Sequence, residues 1–293
     1  MANILSWFTD FLKKVLGITT NTTTTESTTT KNDEANKQAL CMGINDYLGT
    51  QNDLRGCVND AMNWGNLLKT KYGYNVTVLL DSQVTRANVI DKIKHITQTP
   101  GLTHFVLTYS GHGSQVIDSN NDEADGKDET LYLYDGNLVD DDIRDILSQI
   151  PAGVKVAVIL DSCHSGSCTR AFLNSMNDTS FYSKPRYMPP EDLEEVSRLE
   201  GVPFRESMFY PEECMNHVLI SGAKDAEYSY DANIGGQPCG AFTYYALKVL
   251  QDNPVITYND FITKLRTYLP SSEYPQTPQL EGKEVIKQMV MFD

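Results

Sequence analysis

Ser110-Gly111-His112-Gly113 and Asp161-Ser162-Cys163-His164-Ser165-Gly166 are the two stretches whose side chains best suit covalent chemistry. A thiol beside an imidazole makes a nucleophile and a proton acceptor, the minimum for acyl transfer through a covalent intermediate. Cys163 is the candidate nucleophile and His112 its base. His164 is next in the chain, but neighbours on an extended segment point to opposite sides, so it is assigned a structural role. Gly111 and Gly113 would let the backbone turn sharply and approach a substrate, and the amides of Gly113 and Cys163 could donate to the oxyanion of a tetrahedral intermediate. Metal binding is the competing chemistry, with His112, Cys163, His164, Cys168 and Cys239 as zinc ligands. Only Cys163 and Cys168 have a usual zinc-ligand spacing, and no second such pair completes a site.

These stretches need elements that bring them together. Each follows an apolar run, LTHFVLTY at 102–109 and VKVAVIL at 154–160, which reads as a strand. Further strands are predicted at 39–44, 76–80, 217–221 and 285–292. Between them lie a helix with Val58, Ala61, Met62, Gly65 and Leu68 on one face, a helix capped by Thr85 that buries Val89, Ile93 and Ile96, and a helix of Ile143, Ile146, Leu147 and Ile150. Helices are also predicted at 241–251 and 258–268. Alternation of this kind implies an α/β sandwich with a mainly parallel central sheet of about six strands, flanked by helices on both faces. Active sites of such sheets collect beyond the carboxyl ends of the strands. If strands 102–109 and 154–160 are parallel neighbours, His112 and Cys163 meet across one rim.

The chain carries a net charge of −15, which disfavours nucleic-acid binding because phosphates would be repelled. The charge is uneven. Eleven acids stand against Lys127 and Arg144 between Asp118 and Asp145, so that segment asks for cations. If Cys163 stays a free thiol, five of the six cysteines remain, and an odd remainder favours a reducing, cytoplasmic setting. Residues 1–18 have the pattern of an amphipathic helix, with docking on the protein's own body and contact with a partner or membrane surface both open. Residues 19–36, rich in threonine, read as a flexible linker.

YSGHG at 109–113 and DSCHSG at 161–166 resemble the histidine and cysteine motifs of metacaspases. The resemblance extends over residues 37–293, including GCVND at 56–60, ISGAKDAEYSYDA at 220–232 and GAFTYYAL at 240–247. It implies a peptidase domain with a large-subunit-like part (37–170), a connecting region (171–213) and a small-subunit-like part (214–293). It also implies a catalytic dyad of His112 and Cys163, and a primary specificity pocket of Asp60, Ser110 and Asp161, joined by Asp231. Such a pocket receives the arginine or lysine that precedes the cleaved bond of a protein or peptide substrate, by a carboxylate–guanidinium pairing in the arginine case. The resemblance further implies a monomer, and calcium held by Asp128, Asp140 and Asp141. Seven residues after Cys163, where the family often has another acidic ligand, stands Arg170.

The acidic segment also places Asp118, Asn120, Asp122, Ala124, Gly126 and Glu129 at EF-hand spacing, but Glu123 occupies the position that needs glycine, so an EF-hand is rejected. Lys184, Arg186, Arg198 and Arg205 lie in a polar, Pro-containing connection and are candidate self-cleavage sites, because exposed connections are open to proteolysis. The alternatives from other classes are a catalytically inactive caspase-like scaffold and a metal-binding protein.

Overall fold

Short apolar runs rich in Val, Ile and Leu form the centre of the molecule. The computed structural model describes residues 36–117, 127–163, 183–189, 215–224 and 227–293. The expected N-terminal helix and all but the last residue of the Thr-rich linker lie outside them, as do His164, Cys168, Arg170, Arg198, Arg205 and Cys214. The principal sheet contains β1 (Lys37–Gly43), β2 (Asn75–Leu80), β3 (His104–Ser110), β7 (Lys155–Asp161), β9 (Val218–Ser221) and β12 (Gln279–Glu281), in the order β12-β9-β7-β3-β1-β2. All neighbours are parallel except β12, which runs antiparallel to β9.

Alternate residues of the central strands face opposite cores, as the period of two requires. Ala39, Cys41, Val106, Ala157 and Ile159 pack with α1 (Cys57–Tyr72), α4 (Ala241–Asp252) and α5 (Tyr258–Leu265). Leu40, Met42, Phe105, Leu107, Val156 and Val158 pack on the other face with α2 (Arg86–Thr97) and α3 (Asp140–Ser148). Thr85 caps α2, its hydroxyl accepting the Asn88 amide at 3.3 Å. Gly73, in the left-handed conformation at φ 72°, ends α1 and donates to the Leu68 carbonyl. Among the described residues no helix is long and apolar enough to cross a membrane.

The strand expected at 285–292 is not one. The edge beside β9 is taken by Gln279–Glu281, whereas Glu284–Lys287 forms a single helical turn, α6. The apolar residues there do not alternate: Val285 is exposed, while Met291 and Phe292 are buried in the core beneath α1 and α5. Two small antiparallel sheets stand beside the principal one. The first joins β4 (Gly113–Ile117), β5 (Lys127–Leu133) and β6 (Gly136–Val139); the second joins β8 (Ser183–Pro185), β10 (Tyr230–Ile234) and β11 (Gln237–Gly240).

Candidate active site

The pairing of β3 with β7 puts Ser110 opposite Asp161. His112 and Cys163 therefore each stand two residues beyond the last paired position, at the carboxyl rim where the sequence places them. Both are buried. The His112 Nε2 lies 2.7 Å from the Asn52 carbonyl, which fixes the ring and leaves Nδ1 as its other nitrogen. Burial pulls the imidazole pKa down to about 3, against a smaller upward pull from that carbonyl. The ring is thus neutral at physiological pH.

Two tyrosines hold the His112 backbone. Tyr47 Oη accepts the His112 amide at 2.8 Å, and Tyr109 Oη donates to the His112 carbonyl at 2.8 Å. The Tyr47 ring also lies against the imidazole, with centroids 4.8 Å apart. Gly111 has no positive φ, so its contribution is close approach: a Cβ there would come within 2.7 Å of Tyr47 Oη. The sulfur of Cys163 receives the Ser229 amide at 2.6 Å.

Asp60, Ser110, Asp161 and Asp231 converge, as expected, and what they converge on is Arg186. Its Nη2 lies 2.7 Å from Asp60 Oδ2 and 3.0 Å from Asp231 Oδ1. Its Nη1 lies 3.0 Å from Asp161 Oδ2 and donates to Ser110 Oγ at 2.7 Å. Arg186 is fully buried, so it does not lie in an open connection as its surroundings in the sequence suggest; the acids offset the cost of removing its charge from water. Lys184 is half-buried rather than free.

Each carboxylate has partners besides the guanidinium. Asp161 accepts the Thr243 amide at 3.1 Å in the first turn of α4, and hydrogen bonds from the Thr243 and Ser229 hydroxyls. Asp60 accepts Gly240 N–H at 2.9 Å and Ser110 O–H at 2.7 Å, and Asp231 accepts the amides of Arg55 and Gly56 at 2.8 and 2.9 Å. These donors, together with the guanidinium, offset the repulsion among three neighbouring carboxylates. Asp60 reaches the pocket because it occupies the buried stripe of α1 with Cys57, Ala61 and Trp64.

The backbone of residues 183–188 is docked as well. β8 pairs antiparallel with β10, and the Arg186 amide donates to the Ser229 carbonyl at 3.0 Å. The Arg186 carbonyl accepts two amides, from Gly113 at 3.0 Å and from Cys163 at 3.1 Å, the pair expected to face an oxyanion. Beyond it, the Met188 amide donates to Gly113 O at 2.8 Å, and buried Tyr187 packs against Cys163.

Sequence reasoning missed Asn52, Tyr47, Ser229, Thr243 and Gly240, because most of them act through backbone atoms that residue type does not advertise. Tyr109 was visible in its motif but received no role. The implied calcium ligands are not gathered: among the described residues no three His, Cys, Asp or Glu side chains are placed to hold a metal ion. Asp128 and Asp140 are buried, and Asp141 Oδ1 lies 2.5 Å from Arg144 Nη2.

The sheet and its two helical layers are those of the caspase fold. Caspase-1 from Spodoptera frugiperda aligns with a TM-score of 0.53 over 85% of this chain and 87% of its own, at 12% identity, a likeness of fold. A crystal structure of a Geobacter sulfurreducens protein aligns with a TM-score of 0.64 and 30% identity, over 87% of this chain and 98% of that one. The family model of the metacaspase peptidase C14 domain matches residues 37–171. Metacaspase-1 of Eremothecium gossypii is 32% identical over 84% of this chain and 63% of its own length, and Metacaspase-1 of Schizosaccharomyces pombe 30% identical over 84% and 67%. The chain belongs to the metacaspase family, which consists of cysteine-type endopeptidases, and it spans about two thirds of the length of these relatives.

Proposed function

We propose that this chain is a cysteine endopeptidase that cuts after arginine or lysine and that its first substrate is its own Arg186–Tyr187 bond. One observation carries the reading: Arg186 fills the acidic pocket while its carbonyl accepts the amides of Gly113 and Cys163. Side chain and carbonyl are both held as a residue preceding a cleaved bond must be held.

In the proposed reaction His112 takes the thiol proton of Cys163, and the sulfur bonds to the carbonyl carbon of the docked arginine. The negative charge moves to the carbonyl oxygen, where the two amides stabilise it. As the C–N bond breaks, His112 returns the proton to the departing amine, here that of Tyr187. Water, deprotonated by His112, then attacks the thioester carbon, and the thiol leaves with its proton restored. A guanidinium satisfies both arms of the pocket, while an ammonium reaches fewer oxygens at once, so arginine is preferred to lysine.

Calcium enters as a modulator through hard carboxylate oxygens at Asp128, Asp140 and Asp141, a donor set suited to that ion once gathered. No step of the reaction is routed through it. Mass spectrometry of the purified chain should find a fragment ending at Arg186, and none in Cys163→Ala. The same cut in both proteins, or a cut elsewhere with Arg186–Tyr187 intact, would count against the reading.

A further inference from the structure

We infer that a lysine two residues before the cleaved bond's arginine is read by the Gln51–Asp53 turn, and that this contact positions His112 for catalysis. The inference rests on the reading of Arg186 as the residue before the cut. Three consecutive carbonyls carry it. The Lys184 ammonium donates to Gln51 O at 2.8 Å and to Asp53 O at 2.9 Å. The carbonyl between them, that of Asn52, is the one 2.7 Å from His112 Nε2. The substrate side chain thus grips the turn on either side of the atom that orients the imidazole.

The grip adds to two other anchors of this stretch, the Tyr47 amide on Asp53 Oδ1 at 3.2 Å and the Leu54 amide on Asn45 O at 2.9 Å. Thr50–Asn52 is one 3-10 turn closed by a 3.1 Å bond from the Asn52 amide to Gly49, and so short a turn has little rigidity of its own. An ammonium with three donors can bridge two carbonyls, and a charged donor makes each bond stronger than a neutral one. The register of β8 on β10, with Lys184 opposite Asp231, delivers the side chain to that spot. The charge also reaches the ring: after burial and the Asn52 carbonyl, Lys184 is the next influence on the His112 pKa and lowers it, favouring the neutral base. Lys184 is a positioning group, so its loss should appear in turnover more than in affinity.

The test uses the self-processed chain and three fluorogenic peptides. One is acyl-Lys-Pro-Arg-coumarin; one has norleucine for lysine, keeping the stem and removing the ammonium; one has alanine for arginine. The norleucine peptide should show a kcat lower by on the order of 10-fold or more, the loss expected for a charged hydrogen bond. In the full chain, Lys184→Met should slow self-cleavage by a similar factor and Lys184→Arg should restore much of it. Equal kcat for the lysine and norleucine peptides, whatever their KM, overturns the inference while leaving the arginine reading standing. Equal cleavage of the alanine peptide, or no cleavage of any, overturns the arginine reading and this inference with it.

Discussion

Arg186 leaves its pocket with a formal excess of negative charge, three carboxylates against one guanidinium. A buried excess of that kind raises the affinity of an acid for protons. Burial, opposed by Arg186 and helped by repulsion from Asp161, moves the Asp60 pKa up to about 6. Since Arg186 pulls that pKa down, docking of the guanidinium and ionisation of Asp60 favour each other, and protonation works against docking. The grip on arginine should therefore weaken as pH falls through about 6, and self-cleavage at pH 5 should run several-fold slower than at pH 7.5. His112, with its pKa held near 3 by burial, adds no acid limb in that range. A rate constant that stays flat from pH 7.5 to 5 would exclude Asp60 as the controlling group. Asp161 should matter more, because it pairs with Nη1 of Arg186 while Asp60 and Asp231 share Nη2. Asp161→Ala should lower kcat/KM for arginine peptides by roughly 100-fold, about 3 kcal/mol for a broken buried pair. A loss below threefold would show that Asp60 and Asp231 suffice.

The elements that hold these residues differ in how plainly the sequence declares them. β3 and β7 are apolar runs followed by motif residues, so the rim that carries His112 and Cys163 was legible from composition and order alone. Asp60 was legible only through family resemblance, although an acid within the buried stripe of α1 is itself a signal. β10 and β11 close as a hairpin over Gly235 and Gly236, a local turn signal, whereas the three residues of β8 pair with β10 across more than forty residues of chain, which no local periodicity records. Arg186 was one of four cleavage candidates, and its burial follows from that pairing. Gly240, at the junction of β11 and α4, shows how tightly the elements close on the pocket. A Cβ there would collide with Asp161 Oδ2 and approach Arg186 Nη1 to 2.6 Å. Gly240→Ala should lower stability by about 1–3 kcal/mol, as overpacked sites do, and raise KM for arginine peptides. Thermal denaturation and steady-state kinetics read the two effects separately, and an unchanged KM would mean that the junction can give way without disturbing the pocket.

At the scale of the whole molecule the net charge of −15 is concentrated in one segment, with eleven acids and two bases between Asp118 and Asp145. The register of β5 on β6 pairs Thr130 with Val139, so Asp128 and the first turn of α3 lie at the same end of the small sheet. Asp140 and Asp141 belong to that turn. Gathering them with Asp128 around a cation would require Asp141 to give up Arg144, now 2.5 Å away, and this opposes binding. Calcium should therefore act weakly, with half-maximal stimulation at about 0.1–1 mM, the range of sites with few or poorly gathered ligands. In EGTA the chain should keep measurable peptidase activity, and Arg144→Ala, by freeing Asp141, should shift the calcium response to lower concentration. Activity that is full in EGTA and indifferent to calcium would remove the ion from the account. If that calcium-independent activity were lost on Arg170→Ala and restored by calcium, Arg170 would be the counter-ion of the acidic segment in its place.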